Sequence, residues 1–389
     1  MQLNDEQHDW LTLTLIPGLG SSNFIKLLAR FKTPSRILRA SEAELREICG
    51  PKLAERITQY KSVVDVPVQL QAMKDYDVNF ITLNDAAYPA RLAEIHDPPL
   101  ALFVRGDLRE EDQHCVAIVG TRKASAYGLR MAEQLAHDLA ARGITIVSGM
   151  ATGIDSAAHE GALKAGGRTI AILAGGVDIV FPAENAALMH KIIQQGAVIS
   201  QFPMGMPHEK GLFPYRNRIV SGISMGVVIV EAPPQSGALI TAQLAAEQGR
   251  EVFALPGQVG FANSKGPHSL IREGAKLIES VDDILLELEL PSAMYQQPLE
   301  AVAPNPSEKI TPELAAKKQA PAAKVAAPTP PNVSAQEKDV LSVLALEGSF
   351  VDEIAMACRI TVSEALSSLT MLELKGLVRQ FSGKRFAPR

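Results

Sequence analysis

The chain has 389 residues, 47% hydrophobic and 21% charged, with a formal net charge of −5. That length exceeds one ordinary core, so about two or three domains are expected, and the composition is that of a folded globular protein. The negative balance excludes a protein that coats nucleic acid by charge alone; any such contact needs a local cluster of Lys and Arg.

The N-terminus, MQLNDEQHDW, is polar and has no basic segment leading into an apolar run, so no signal peptide is read. Residues 1–80 pattern as a helical domain, SAM- or helix-hairpin-helix-like. The turn IPGLG separates two apolar helix patterns, and Ser41 with Glu44 forms a capping-box pattern. The turn has two readings: amides that touch a phosphate backbone, or a glycine-rich connection inside a helical bundle.

Residues 81–290 form the expected α/β core. Short apolar runs (VAIVG, ITIVSGM, RTIAILAGG, AVISQ, GVVIVEA and EVFALPG) alternate with amphipathic stretches such as LRMAEQLAHDLAARG. Strands that are apolar throughout are buried on both faces, which predicts a doubly wound, mostly parallel, Rossmann-like sheet covered by helices.

Residues 291–333 hold nine prolines and ten alanines and read as a semi-stiff linker. Residues 334–389 then read as three helices and a hairpin around Ser382-Gly383, a winged-helix-like arrangement. Lys375, Arg379, Lys384, Arg385 and Arg389 make its last fifteen residues basic, which suits a duplex or protein partner and equally a solvated end.

Enzymatic motifs are lacking. No GxxxxGK[ST] or GxGxxG occurs, and GISMG (222–226) has a helix pattern before Ser224 and a strand after it, the reverse of a nucleophile elbow. Cys49, Cys115 and Cys358 are far apart, the eight histidines are scattered, and no metal or cofactor is expected. Asp155 and His159 share a helix face, as a site pair or, more simply, as a packing contact.

Glycine-rich turns do gather at the carboxyl ends of the strands: Gly120-Thr121-Arg122, Gly149 to Gly153, Gly175-Gly176 and Ser236-Gly237. This edge binds ligands in open α/β sheets, and glycines let backbone amides approach an anion. Arg122 and Lys123 make phosphate the natural guest. The segment 208–224 adds Lys210, Arg216 and Arg218 as cations and Phe213 and Tyr215 as rings, either for bases or for anchoring the loop. Basic residues interleaved with rings suit a single-stranded nucleic acid.

The motifs VGTR (119–122), SGMATGIDSAAHEGAL (148–163), GGRTIAILAGGVD (166–178), FPYRNRIVSG (213–222), EAPPQSGALITAQLAAEQGR (231–250) and VFALPG (252–257) together resemble the DNA-processing protein A (DprA/Smf) family. The resemblance covers about half of the chain, with departures at Ala174, Gln201 and His268. It implies a non-enzymatic, homodimeric protein, while the polar N-terminus and the widely spaced cysteines fit a reducing cytoplasm. Such a protein binds and shields single-stranded DNA during natural transformation and loads a RecA-type recombinase onto it. It assigns the DNA pocket to Gly120, Thr121, Arg122, Lys210, Phe213, Arg216 and Asn217, with the turns at Gly149, Gly153, Ser236 and Gly237 around it. Two other readings stand beside it: a nucleotide-hydrolysing enzyme of the lysine-decarboxylase-like group, to which SGALITAQ lacks the acidic residue, and an interaction scaffold whose core binds no DNA.

Overall fold

The computed structural model describes residues 3–288 and 290 and, in the C-terminal part, residues 334, 338, 340–341, 343–344, 349–358, 360–375, 377–381 and 385–388. The chain divides into two compact units, Met1–Ala303 and Pro304–Arg389. The proline- and alanine-rich segment 291–333 lies outside the described residues.

The first unit opens with seven helices between Asp5 and Asp75. The Ser41–Glu44 capping box forms as its spacing predicts, and a second one joins Asn4 to Gln7. Nine strands follow: β1 Val78–Thr82, β2 Ala101–Gly106, β3 Cys115–Val119, β4 Thr145–Ser148, β5 Thr169–Ile172, β6 Ala197–Ser200, β7 Gly226–Ile229, β8 Glu251–Ala254 and β9 Lys276–Leu277. They form one sheet in the order β1-β2-β6-β5-β4-β3-β7-β8-β9. The six apolar runs are β3 to β8, all mutually parallel, and every residue of β3 to β7 is buried. At one edge β2 runs antiparallel to both of its neighbours, β6 and β1.

Helices cover both faces. Helix Ala126–Ala141 packs Ala132, Leu135 and Leu139 against Val116, Ile118 and Val228 on one side. Helices Phe213–Ile223 and Gly237–Glu247 set Ile219, Val220, Ala238 and Ala242 against Ala117, Val147 and Ile229 on the other. The N-terminal helices bury Trp10, Phe24 and Leu45 in one cluster with Phe80, Phe103 and Val198 of the sheet. The boundary expected at residue 80 therefore falls inside β1.

From β3 the chain winds outward through β4, β5 and β6 on one side, then returns to β7, β8 and β9 on the other. The order reverses between β3 and β7, which opens a crevice outside their carboxyl ends.

In the second unit, helices Val351–Cys358 and Val362–Leu374 and a three-stranded antiparallel sheet surround Ile354, Leu369, Leu372 and Phe386. Lys384 and Arg389 of the basic end lie outside the described residues. Among the described residues no helix is long and apolar enough to cross a membrane.

At the amino ends of the strands, Asp112 takes two hydrogen bonds from the Arg168 guanidinium, both at 2.8 Å, and one from Thr145 Oγ1 at 2.7 Å. The Arg168 and Asp112 side chains are 11% and 5% exposed, so this pair ties β3, β4 and β5 in a low-dielectric setting. Removing one partner of such a pair strands the other charge. Asp112→Ala is expected to lower unfolding free energy by about 3 kcal/mol in urea denaturation, and Asp112→Asn by less.

Candidate nucleic-acid interface

Four segments meet at the β3/β7 crevice. They are the loop after β3, the loop after β4, the start of helix Phe213–Ile223 and the start of helix Gly237–Glu247. They enclose a cleft of about 320 Å³ lined by Gly120, Thr121, Arg122, Asp155, Phe213, Arg216, Asn217, Ser236 and Gly237, among others.

Arg216 is the centre of the site. It is 6% exposed, and its Nε finds no hydrogen-bond partner among the described residues. Burial pulls its pKa down, while the Asp155 carboxylate pulls it up and Arg122 pulls it down again. Asp155 is 5% exposed. Burial raises its pKa, opposed by Arg216 first and then by neighbouring backbone amides, of which that of Ala151 donates to it at 3.3 Å. No ion pair closer than 4 Å joins Asp155 to Arg216 among the described residues. The Arg216 donors thus remain available to an anion entering the cleft.

Phe213 lies between two cations. The Arg122 guanidinium carbon is 5.1 Å from its ring centroid and that of Arg216 is 5.7 Å. Each such contact contributes about 0.5–2 kcal/mol, the more so where water is excluded. The ring is half-buried. Its contacts orient the two guanidinia at the rim and floor of the cleft.

The glycines act differently from their expected role as sources of free amides. The Thr121 amide donates to the Glu231 carbonyl at 2.7 Å, and a Cβ on Gly120 would stand 2.6 Å from the Ile154 side chain. Gly149 is glycine because any Cβ there would overlap the Arg216 guanidinium. Gly153 has φ +84°, and a Cβ on it would stand 2.5 Å from the Thr121 carbonyl oxygen. These turns close on one another, and the cations supply the positive surface. Only at Gly237 does the backbone border open space, with Asn217 Nδ2 donating to its carbonyl at 3.4 Å.

Other expected residues sit elsewhere. Lys210 is exposed in the short turn Lys210–Leu212 and does not line the cleft. Arg218 turns away to an ion pair with Asp97 at 2.7 Å and a hydrogen bond to Gln201 at 2.6 Å. Tyr215 is 54% exposed and anchors nothing to the core. The Gly175-Gly176 turn faces His208 and Asp178. Ser224 is fully buried, with its hydroxyl donated to the Val220 carbonyl at 2.8 Å.

Sequence reasoning missed Glu231, at 3% exposure. Its carboxylate accepts from the Ser125 amide at 2.9 Å, the Ser125 hydroxyl at 2.5 Å and Asn263 Nδ2 at 3.2 Å. Together with its carbonyl bond to Thr121, this staples the Gly120–Ser125 loop to the end of β7. The available signal was an acidic residue closing the apolar run GVVIVEA.

The family described as DNA recombination-mediator protein A matches residues 79–289, and the DprA winged helix domain matches residues 320–384. The chain belongs to the DNA recombination-mediator protein A family. Across 99% of its length it is 32% identical to all of Protein Smf from Synechocystis sp.. Over 60% of its length it is 41% identical to 79% of the DNA processing protein DprA of Bacillus subtilis. The X-ray structure of DprA from Streptococcus pneumoniae superposes on 75% of this chain and all of its own, with a TM-score of 0.66 and 34% identity.

His159 does not pair with Asp155. It is fully buried, and its Nδ1–H donates to Thr169 Oγ1 at 2.7 Å, because the threonine hydroxyl is itself donated to the Ile146 carbonyl. Burial first, and Arg216 second, push its pKa from 6.5 down to about 3. The unfolded chain therefore takes up a proton below about pH 6.5 that the folded chain refuses until about pH 3. Stability from this group is complete above pH 6.5 and lost as pH falls toward 3. Urea midpoints between pH 7 and 4 should fall less steeply in His159→Gln than in the wild type.

Proposed function

We propose that the chain binds single-stranded DNA in the β3/β7 cleft, shields it, and loads a RecA-type recombinase onto it during DNA uptake, acting as a homodimer in the cytoplasm. One observation carries the reading: a nearly buried guanidinium, Arg216, whose Nε has no partner, faces a cleft rimmed by a second guanidinium and an aromatic ring. A phosphate completes the unmet charge of Arg216 and Arg122, and the ring offers a surface for a base. The description of the family as recombination mediators supports the same reading.

An enzymatic role finds no support in the cleft. The Asp155 carboxylate accepts from the Ala151 amide at 3.3 Å, and that of Glu231 is held by Ser125 and Asn263. The winged-helix-like tail is assigned to a duplex or protein partner on the strength of its fold.

The test is fluorescence anisotropy of labelled oligo-dT, with duplex of equal length as the control. Arg122→Ala should weaken single-strand binding about tenfold or more, since a hydrogen bond to a charged group is worth about 1.5–3 kcal/mol. The loss should be the same for dT, dA and dC strands, because the contact is to backbone. Phe213→Ala should cost about 1–3 kcal/mol if its ring carries a base. Unchanged binding in Arg122→Ala, or no preference for single strands, would overturn the proposal. Delivery to the recombinase is checked by single-strand-dependent recombinase ATPase, which the wild type should accelerate on coated strands and Arg122→Ala should not.

A further inference from the structure

Next to the cleft stands a second ring surface that the sequence motifs did not indicate. Phe181 is 38% exposed although it is a large apolar side chain. One side of its ring stacks on the His208 imidazole, with centroids 4.9 Å apart and planes at 19°. The imidazole is seated in turn: its Nε2 lies 3.1 Å from the Ile179 carbonyl, and it packs against Gly175, where a Cβ would approach the ring to 3.0 Å. The third glycine-rich turn is therefore a seat for a ring. Phe181 also meets Phe213, the ring of the cleft, at 6.2 Å.

A phenylalanine stacked on a seated imidazole and still 38% exposed has the form of a stacking platform. Platforms of this kind serve single-stranded nucleic acids because every base has a π-face. The surroundings favour a nucleic acid strand over an apolar partner. Arg122 and Arg216 lie against the adjoining Phe213, and the exposed Lys210 sits on the short segment between His208 and Phe213.

We propose that Phe181 stacks a base of the single strand just outside the Arg122–Arg216 cleft, extending the binding surface from the phosphate hole across Phe213 to Phe181. The inference rests on the single-strand reading of the cleft. Phe181 is thus a base-contacting residue, and His208 and Gly175 are positioning residues that hold its ring.

The experiment compares oligo-dT with an abasic strand of equal length and charge, using the full chain, Phe181→Ala, Phe181→Leu and Arg122→Ala. Both Phe181 variants should bind oligo-dT about tenfold more weakly than wild type, within the range of one lost stacked base. Neither should lose affinity for the abasic strand. Phe181→Leu keeps apolar volume over His208, so its loss reports the ring and not the packing. Phe181→Trp adds a reporter to a chain whose single other tryptophan, Trp10, is 1% exposed; its fluorescence should be quenched by oligo-dT and not by the abasic strand. If the Phe181 variants bind oligo-dT like wild type while Arg122→Ala is weakened, Phe181 has no such role and the cleft reading survives. Equal losses on both strands would assign Phe181 to packing and overturn the proposal. If Arg122→Ala binds both strands like wild type, the cleft reading itself falls and this inference falls with it.

Discussion

A guanidinium buried at the bottom of a crevice is costly, and the arrangement of this site follows from that cost. Moving a cation out of water carries a penalty of several kcal/mol even after relaxation. Around Arg216 the chain supplies partial compensation: a buried carboxylate that does not close into an ion pair, and the face of Phe213. Gly149 carries no side chain because the guanidinium occupies that space. The compensation is incomplete, since Arg216 Nε has no acceptor. On the proposed reading, a phosphate in the cleft finishes that shell.

The fold explains why the cleft lies where it does. The connections leaving neighbouring parallel strands part to opposite faces of the sheet where the winding order reverses, and here that place is between β3 and β7. The loops leaving these two strands would part without a tie. Glu231, at the end of β7, provides it by holding Thr121 through its carbonyl and Ser125 through its carboxylate. Arg122 lies between those two attachment points, so its placement over Phe213 is set by β7 as much as by its own loop.

Much of this was legible in the residues. Uninterrupted apolar runs forecast buried parallel strands, because a strand covered by helices on both faces has no polar side to show. The capping box at Ser41 was legible because it is local. The roles of the glycines were not: a glycine that frees an amide and one that makes room for a neighbouring side chain look alike in sequence. Gly149 and Gly175 are of the second kind, and the side chains they accommodate come from Arg216 and His208, far along the chain. Arg216 and Arg218 likewise share a short basic run, yet helical geometry sends one into the cleft and the other to Asp97. The sharing of one core by the N-terminal helices and the sheet is a long-range property that local periodicity does not carry.

The central claim is that Arg216 neutralises a backbone phosphate. It is tested most directly by the salt dependence of oligo-dT affinity in wild type and Arg216→Gln, with folding of both checked by thermal melting. For single strands the slope of log affinity against log salt changes by roughly 0.7 for each phosphate contact. The account predicts a slope shallower by about that amount in Arg216→Gln. Parallel slopes in two folded proteins would show that Arg216 touches no phosphate, and the account would be wrong at its centre.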